Sequence, residues 1–168
     1  MTIVEFLIRM NKLIQTILDQ NLTIQTIESF TGGSLAHHFI KHTGASRWFK
    51  QGLVLYQLES KANFLGITME AMRKIDPVSE LLVKRCLNKA LSNHPNTIVI
   101  MTTGNAGPSS QGQHSVGDFY IGLSDGKHEH IQLGKAKGSR TKIQQAGLKM
   151  AIQMLEDFVS TYYSVSLK

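Results

Sequence analysis

The stretch Leu22-Thr23-Ile24-Gln25-Thr26-Ile27-Glu28-Ser29-Phe30-Thr31-Gly32-Gly33-Ser34 decides the fold class. Over residues 22–27 apolar and polar side chains alternate and β-branched residues dominate, which predicts a strand. A turn of small residues follows, and residues 35–40 then take a helical spacing that ends near Gly44. Strand, glycine turn and helix together open an α/β unit. Upstream, Ile3, Phe6, Leu7, Met10, Leu13, Ile14, Ile17 and Leu18 recur at intervals of three and four, which predicts an amphipathic helix over residues 2–20.

Downstream, Gln51-Gly52-Leu53-Val54-Leu55-Tyr56-Gln57 reads as a second strand, followed by a short helix over 60–65 that Gly66 stops. A third helix is expected over 79–92, with Leu81, Leu82, Val83, Cys86, Leu87, Ala90 and Leu91 on one side and Ser79 at its N-cap or first turn. Asn93-His94-Pro95-Asn96 breaks it. Thr97-Ile98-Val99-Ile100-Met101-Thr102 is a continuous run of the kind found in a sheet interior. A long loop over 104–115 leads to strands at 116–123 and 128–133, joined by a hairpin turn at Ser124-Asp125-Gly126, and a long helix over 140–162 closes the chain. Alternating helices and strands interrupted by a hairpin predict one domain, a three-layer α/β/α sandwich on a mixed sheet, with residues 22–162 as its core.

The size agrees with this. At 168 residues the chain buries enough apolar surface for one domain, and its lone cysteine, Cys86, excludes an internal disulfide. No apolar run approaches the ~18 residues of a membrane span, and no cleavable signal pattern opens the chain, so the cytoplasm is the expected compartment. The formal net charge is +6, and it is concentrated: Lys127, Lys135, Lys137, Arg140, Lys142 and Lys149 face Glu129 alone in residues 127–149. Such a patch suits nucleic acid, a membrane surface, a small phosphorylated ligand or simply a solvated face. Nucleic acid ranks last, because the basic residues are not interleaved with aromatics.

Ser29 lies where a strand gives way to a turn and a helix, so its hydroxyl would project at the carboxyl edge of the sheet, where open α/β folds bind ligands. The amides of Thr31, Gly32 and Gly33 lie at the helix start and could form an oxyanion hole. Ser29 and Thr31 equally suit plain helix capping. Lys61 follows the second strand closely enough to return to the same edge, and a buried lysine of depressed pKa can take the proton of a serine. Competing motifs are weak: no phosphate-binding G-x-G-x-x-G or G-x-x-x-x-G-K-[ST] pattern is present, and His37, His38 and His42 lack zinc-site spacing.

Glu28-Ser29-Phe30-Thr31-Gly32-Gly33, Gly44-Ala45-Ser46, Tyr56, Lys61, Leu65-Gly66-Ile67, Val78-Ser79-Glu80, Thr103-Gly104-Asn105-Ala106-Gly107-Pro108 and Val116-Gly117 occur in the order of a known pattern. The chain resembles the C-terminal domain of the competence/damage-inducible CinA family, including stand-alone members that act as nicotinamide-nucleotide amidases. The resemblance implies hydrolysis of the carboxamide of nicotinamide mononucleotide, or a related amide, to the acid and ammonia, with no metal or organic cofactor. It implies Ser29 as nucleophile, Lys61 as general base and Tyr56 as a nearby hydrogen-bonding partner. Thr31, Gly32 and Gly33 would form the oxyanion turn, Thr103, Gly104 and Asn105 part of the substrate pocket, and Arg140 the contact to the phosphate of a small anionic nucleotide. The chain departs from the pattern at Phe30 (for Cys), Leu58 (for Asn), Ser115 (for Pro), Ser139 (for Asp) and Gln144 (for Arg). A non-catalytic or altered-specificity nucleotide-binding protein is therefore the alternative. Family members are often oligomeric, and the first helix would serve a subunit contact or an ordinary core equally well.

Overall fold

In the computed structural model, residues 3–92 and 94–163 are described; Thr2 of the expected first helix and Asn93 of the expected break lie outside them. The elements run α1 (Ile3–Asp19), β1 (Thr23–Glu28), α2 (Ser34–Ile40), β2 (Phe49–Val54), α3 (Leu58–Leu65), α4 (Met69–Arg73), α5 (Glu80–Leu91), β3 (Thr97–Gly104), β4 (Asp118–Ser124), β5 (Glu129–Lys135) and α6 (Arg140–Tyr163), with one 3₁₀ turn at Ala45–Arg47. The sheet order is β2-β1-β3-β4-β5. β2, β1 and β3 run parallel, and β4 pairs antiparallel with both β3 and β5, as expected of a mixed sheet.

Period-two alternation along the central strands feeds two cores. Ile98 and Ile100 of β3 face α1, α2 and α6 through Met10, Leu13, Ile17, Leu35, Phe39, Leu155 and Phe158. Val99 and Met101 face the opposite layer, where Ala62, Met72, Leu82, Val83, Cys86 and Leu87 come from α3, α4 and α5. The result is the expected three-layer sandwich. Met10, Leu13 and Ile17 of α1 are buried in the first of these cores.

Two local expectations are corrected and one unexpected element appears. The second strand begins and ends earlier, at Phe49–Val54, and leaves Tyr56 and Gln57 in the loop that leads to Lys61. The one-turn helix α4, capped by Thr68 Oγ1 accepting from Ala71 N at 3.2 Å, is too short to leave a periodic signal. The hairpin loop is Asp125 to His128 rather than Ser124-Asp125-Gly126, because Ser124 still pairs with Glu129 and the Asp125 carboxylate accepts from the amides of Lys127 and His128, both at 2.7 Å. Tyr163 Oη also donates to Asp125, and the Tyr162 ring stacks on His128 at 3.9 Å, so the end of α6 is fastened to this loop.

One glycine shows how tightly α6 meets the sheet. A Cβ on Gly147 would lie 2.2 Å from Cζ of Phe30, whose buried ring stacks on Phe119 at a centroid distance of 5.1 Å. Gly147→Ala gains up to about 1 kcal/mol of helix propensity but pushes on a buried ring packed against Phe119, at about 1–3 kcal/mol. The net expectation is a loss of about 1–2 kcal/mol, read as a lower urea midpoint at unchanged m-value.

Candidate functional site

The chain passes from β1 to β2 on one side and later returns as β3 on the other, so the carboxyl end of β1 is the point where the strand order reverses. Ser29 is the first residue beyond β1. Its amide donates to Thr102 O at 3.0 Å, which continues the β1–β3 pairing one step past the strand, and the residue is 8% exposed.

Glu28, the residue before it, is fully buried and organises the turn. Its carboxylate accepts from Gly33 N (3.0 Å), Leu35 N (3.1 Å), Ala36 N (2.7 Å) and Thr31 Oγ1 (2.8 Å), with Thr26 Oγ1 at 3.4 Å. The position preceding α2 is Gly33, which has no side chain to cap with; Glu28 does the capping from the end of the strand. Sequence reasoning assigned Glu28 no role. The available signal was a carboxylate at the end of a buried strand, directly before a small-residue helix start.

This network corrects the expected oxyanion turn. Gly33 N is bound by Glu28 and Gly32 N donates to Ser29 O at 3.2 Å, so neither is free for a substrate oxygen. Thr31 directs its hydroxyl to Glu28 and shares a 2.7 Å hydrogen bond with Thr102 Oγ1. Among the described residues, the N–H groups of Phe30 and Thr31 have no partner within the protein.

Lys61 comes from the first turns of α3 and is 2% exposed. Its Nζ lies 3.2 Å from Ser29 Oγ and donates to Tyr56 O at 3.1 Å. Burial lowers its pKa from 10.5 to about 8, against a small opposing effect of the nearby Cys86 thiol. The structure thus brings the expected nucleophile and base into direct contact. Tyr56 serves this pair through its carbonyl only: the residue is 59% exposed and its phenol accepts from Arg140 Nη2 at 3.0 Å.

A cavity of about 110 Å³ opens in front of Ser29, with Phe30, Tyr56, Gly104, Asn105, Gly107 and Arg140 in its wall. Arg140 stands at the first residue of α6 and also donates to Gly107 O, so it bridges two walls of the cavity. Asn105 lines the cavity, but its side chain is engaged: Nδ2 donates to Gln111 O and His114 O at 2.9 Å each, and Oδ1 accepts from Gln111 N at 2.9 Å. Thr103 does not line it; it is 1% exposed and its hydroxyl donates to Pro77 O at 2.6 Å, on the other side of the sheet. A larger cavity of about 270 Å³ lies between α1 and α6, lined by Arg9, Lys12, Glu156 and Asp157 among others, and contains none of these residues. Of the basic segment, Arg140 reaches the site, while Lys135 pairs with Asp118 at 3.3 Å.

Residues 8–159 match the CinA C-terminal domain as a sequence family. The chain belongs to that family. A competence-damage inducible protein of Bacillus subtilis is 32% identical over 137 residues, covering 82% of this chain and 33% of the relative. A CinA-like protein of Flavobacterium psychrophilum is 30% identical over 147 residues, covering 87% of this chain and 35% of the relative. The chain therefore spans about a third of the length of the curated relatives it matches. Among solved structures, a competence or damage-inducible protein from Enterobacter asburiae superposes with a TM-score of 0.81 at 22% identity, covering 90% of this chain and 96% of that one, a likeness of fold. The CinA domain described here has no helix, among its described residues, long and apolar enough to cross a membrane. Nor do three or more His, Cys, Asp or Glu side chains gather among those residues in a way that could hold a metal ion.

Proposed function

We propose that this CinA domain hydrolyses the carboxamide of a pyridine nucleotide, nicotinamide mononucleotide or a close relative, by acyl transfer to Ser29. The observation that carries this reading is the 3.2 Å contact between Ser29 Oγ and a buried lysine whose pKa falls to about 8. An amine of that pKa is neutral in an appreciable fraction of molecules near neutral pH, and in that form its lone pair accepts the serine proton. Tyr56 O, by accepting one Nζ hydrogen, turns the lone pair toward Ser29.

Ser29 Oγ bonds to the amide carbon as Lys61 takes its proton, and the carbonyl oxygen becomes an oxyanion. The unengaged N–H groups of Phe30 and Thr31, next to the nucleophile, are the donors available for that charge. Collapse breaks the C–N bond, and Lys61 returns the proton to the departing ammonia. Water, deprotonated by Lys61, then cleaves the ester and frees the acid and the serine.

The cavity is well below the ~300–1,000 Å³ of pockets that enclose a whole drug-sized ligand. It suits the reacting ring and amide, with the rest of the substrate passing the exposed Arg140 at the mouth. Two donors of that guanidinium hold Gly107 O and Tyr56 Oη, and the remaining ones suit an anionic oxygen. The test is ammonia release over nicotinamide mononucleotide, nicotinamide and a simple aliphatic amide. The mononucleotide should be the best substrate, and Arg140→Met should raise its KM about tenfold while leaving turnover of uncharged nicotinamide within twofold. No release from any of the three by the wild type would overturn the assignment.

A further inference from the structure

Arg140, Gln144 and Gly147 share one face of α6, at spacings of four and three residues. Arg140 reaches the mouth of the cavity. One turn on, Gln144 Nε2 donates to Phe30 O at 2.8 Å, a contact between residues 114 apart in sequence. A further turn on, Gly147 leaves the space that the Phe30 ring fills. α6 therefore grips the residue after Ser29 by its carbonyl and by its ring.

The peptide joining Phe30 to Thr31 is trans, so its carbonyl and its N–H are coplanar and point in opposite directions. Fixing Phe30 O fixes the direction of Thr31 N–H, which has no partner within the protein among the described residues. We infer that Gln144 is a positioning residue: its side-chain amide holds the plane of the Phe30–Thr31 peptide and so aims Thr31 N–H at the oxyanion formed during acyl transfer to Ser29. The inference rests on Ser29 being the nucleophile. It gives position 144 a function in this chain distinct from a charged substrate contact, since the neutral amide is turned inward onto the backbone.

A donor that acts on charge present only in the transition state changes the rate of the chemical step and not ground-state binding. Removing such a donor outright costs about 10²–10³-fold; releasing its anchor while the peptide stays in place should cost about tenfold. The measurement is the rate at which a small fluorophosphonate modifies the protein, followed by intact mass. In that reaction Ser29 Oγ bonds to phosphorus, fluoride leaves, the serine proton passes to Lys61, and the phosphoryl oxygen needs the same donors, so no amide substrate is required.

The wild type should be labelled at Ser29. Gln144→Met, of similar length and helix propensity but without the donor, should be labelled about tenfold more slowly at a Tm within a few degrees of wild type. Gln144→Arg, whose Nε–H sits the same number of bonds from Cα, should recover most of the rate. Equal labelling of wild type and Gln144→Met overturns the inference, as does a Gln144→Arg protein that folds normally and stays as slow as Gln144→Met. A wild type that is not labelled at Ser29 overturns the nucleophile reading itself, and the positioning role with it.

Discussion

Lys61→Met removes turnover and raises the melting temperature. The substitution deletes the base, which should lower kcat about a thousandfold, within the range general-base catalysis contributes. It also replaces a desolvated amine by an apolar chain of similar length, which removes the burial cost that lowers the Lys61 pKa and outweighs the two hydrogen bonds lost to Ser29 Oγ and Tyr56 O. At pH 7 the expected gain is about 2 kcal/mol, or several degrees in Tm for a domain of this size. The two effects have opposite signs, so loss of activity through misfolding is excluded by the same pair of measurements.

The lowered pKa also sets two pH dependences. With the neutral amine as the active form, the wild-type rate should climb as pH rises through about 8 and level off above it. For stability, the unfolded state holds the Lys61 proton up to about 10.5 while the folded state releases it near 8. Between those values the unfolded chain binds more protons, so the Lys61 contribution to stability rises with pH across that window, and Lys61→Met should flatten the rise.

Glu28→Ala carries the largest expected loss of stability. Three backbone amides and the Thr31 hydroxyl converge on this one fully buried carboxylate; alanine leaves the three amides without an acceptor, while the Thr31 hydroxyl keeps Thr102 Oγ1. Unsatisfied buried donors cost about 1–3 kcal/mol each before relaxation, and breaking a buried charged network costs about 3–5 kcal/mol in all. A loss of about 4 kcal/mol is expected, a large share of the 5–15 kcal/mol that holds an ordinary domain together. Glu28→Gln keeps one oxygen and the chain length, so it should retain roughly half of that stability. Urea unfolding of the two variants checks both; a Glu28→Ala midpoint within about 1 kcal/mol of wild type would contradict the role of the network.

The layers of the sandwich were legible because periodicity survives in long elements. The stripe of α1, the one-sided apolar residues of α5 and the unbroken run of β3 each match the element found. β1 alternated like a half-exposed strand but lies inside the sheet between β2 and β3, where Gln25, Thr26 and Glu28 are buried, so its polar residues serve the interior and not the solvent. Ser29 and Lys61 were visible as strand-end residues and as parts of a family pattern, and the fold brings them together. What stayed hidden depends on where a hydrogen bond ends. Nothing local in the sequence says that Thr103 turns to Pro77 or that Gln144 reaches Phe30 from the last helix. Each of these joins segments whose separation is set by packing.

The most direct test of the Ser29–Lys61 assignment is ammonia release from nicotinamide mononucleotide by the wild type, with folded Ser29→Ala protein as the blank. The expected result is steady release that stops in Ser29→Ala and rises with pH through about 8 in the wild type. Release that continues undiminished in Ser29→Ala would contradict it.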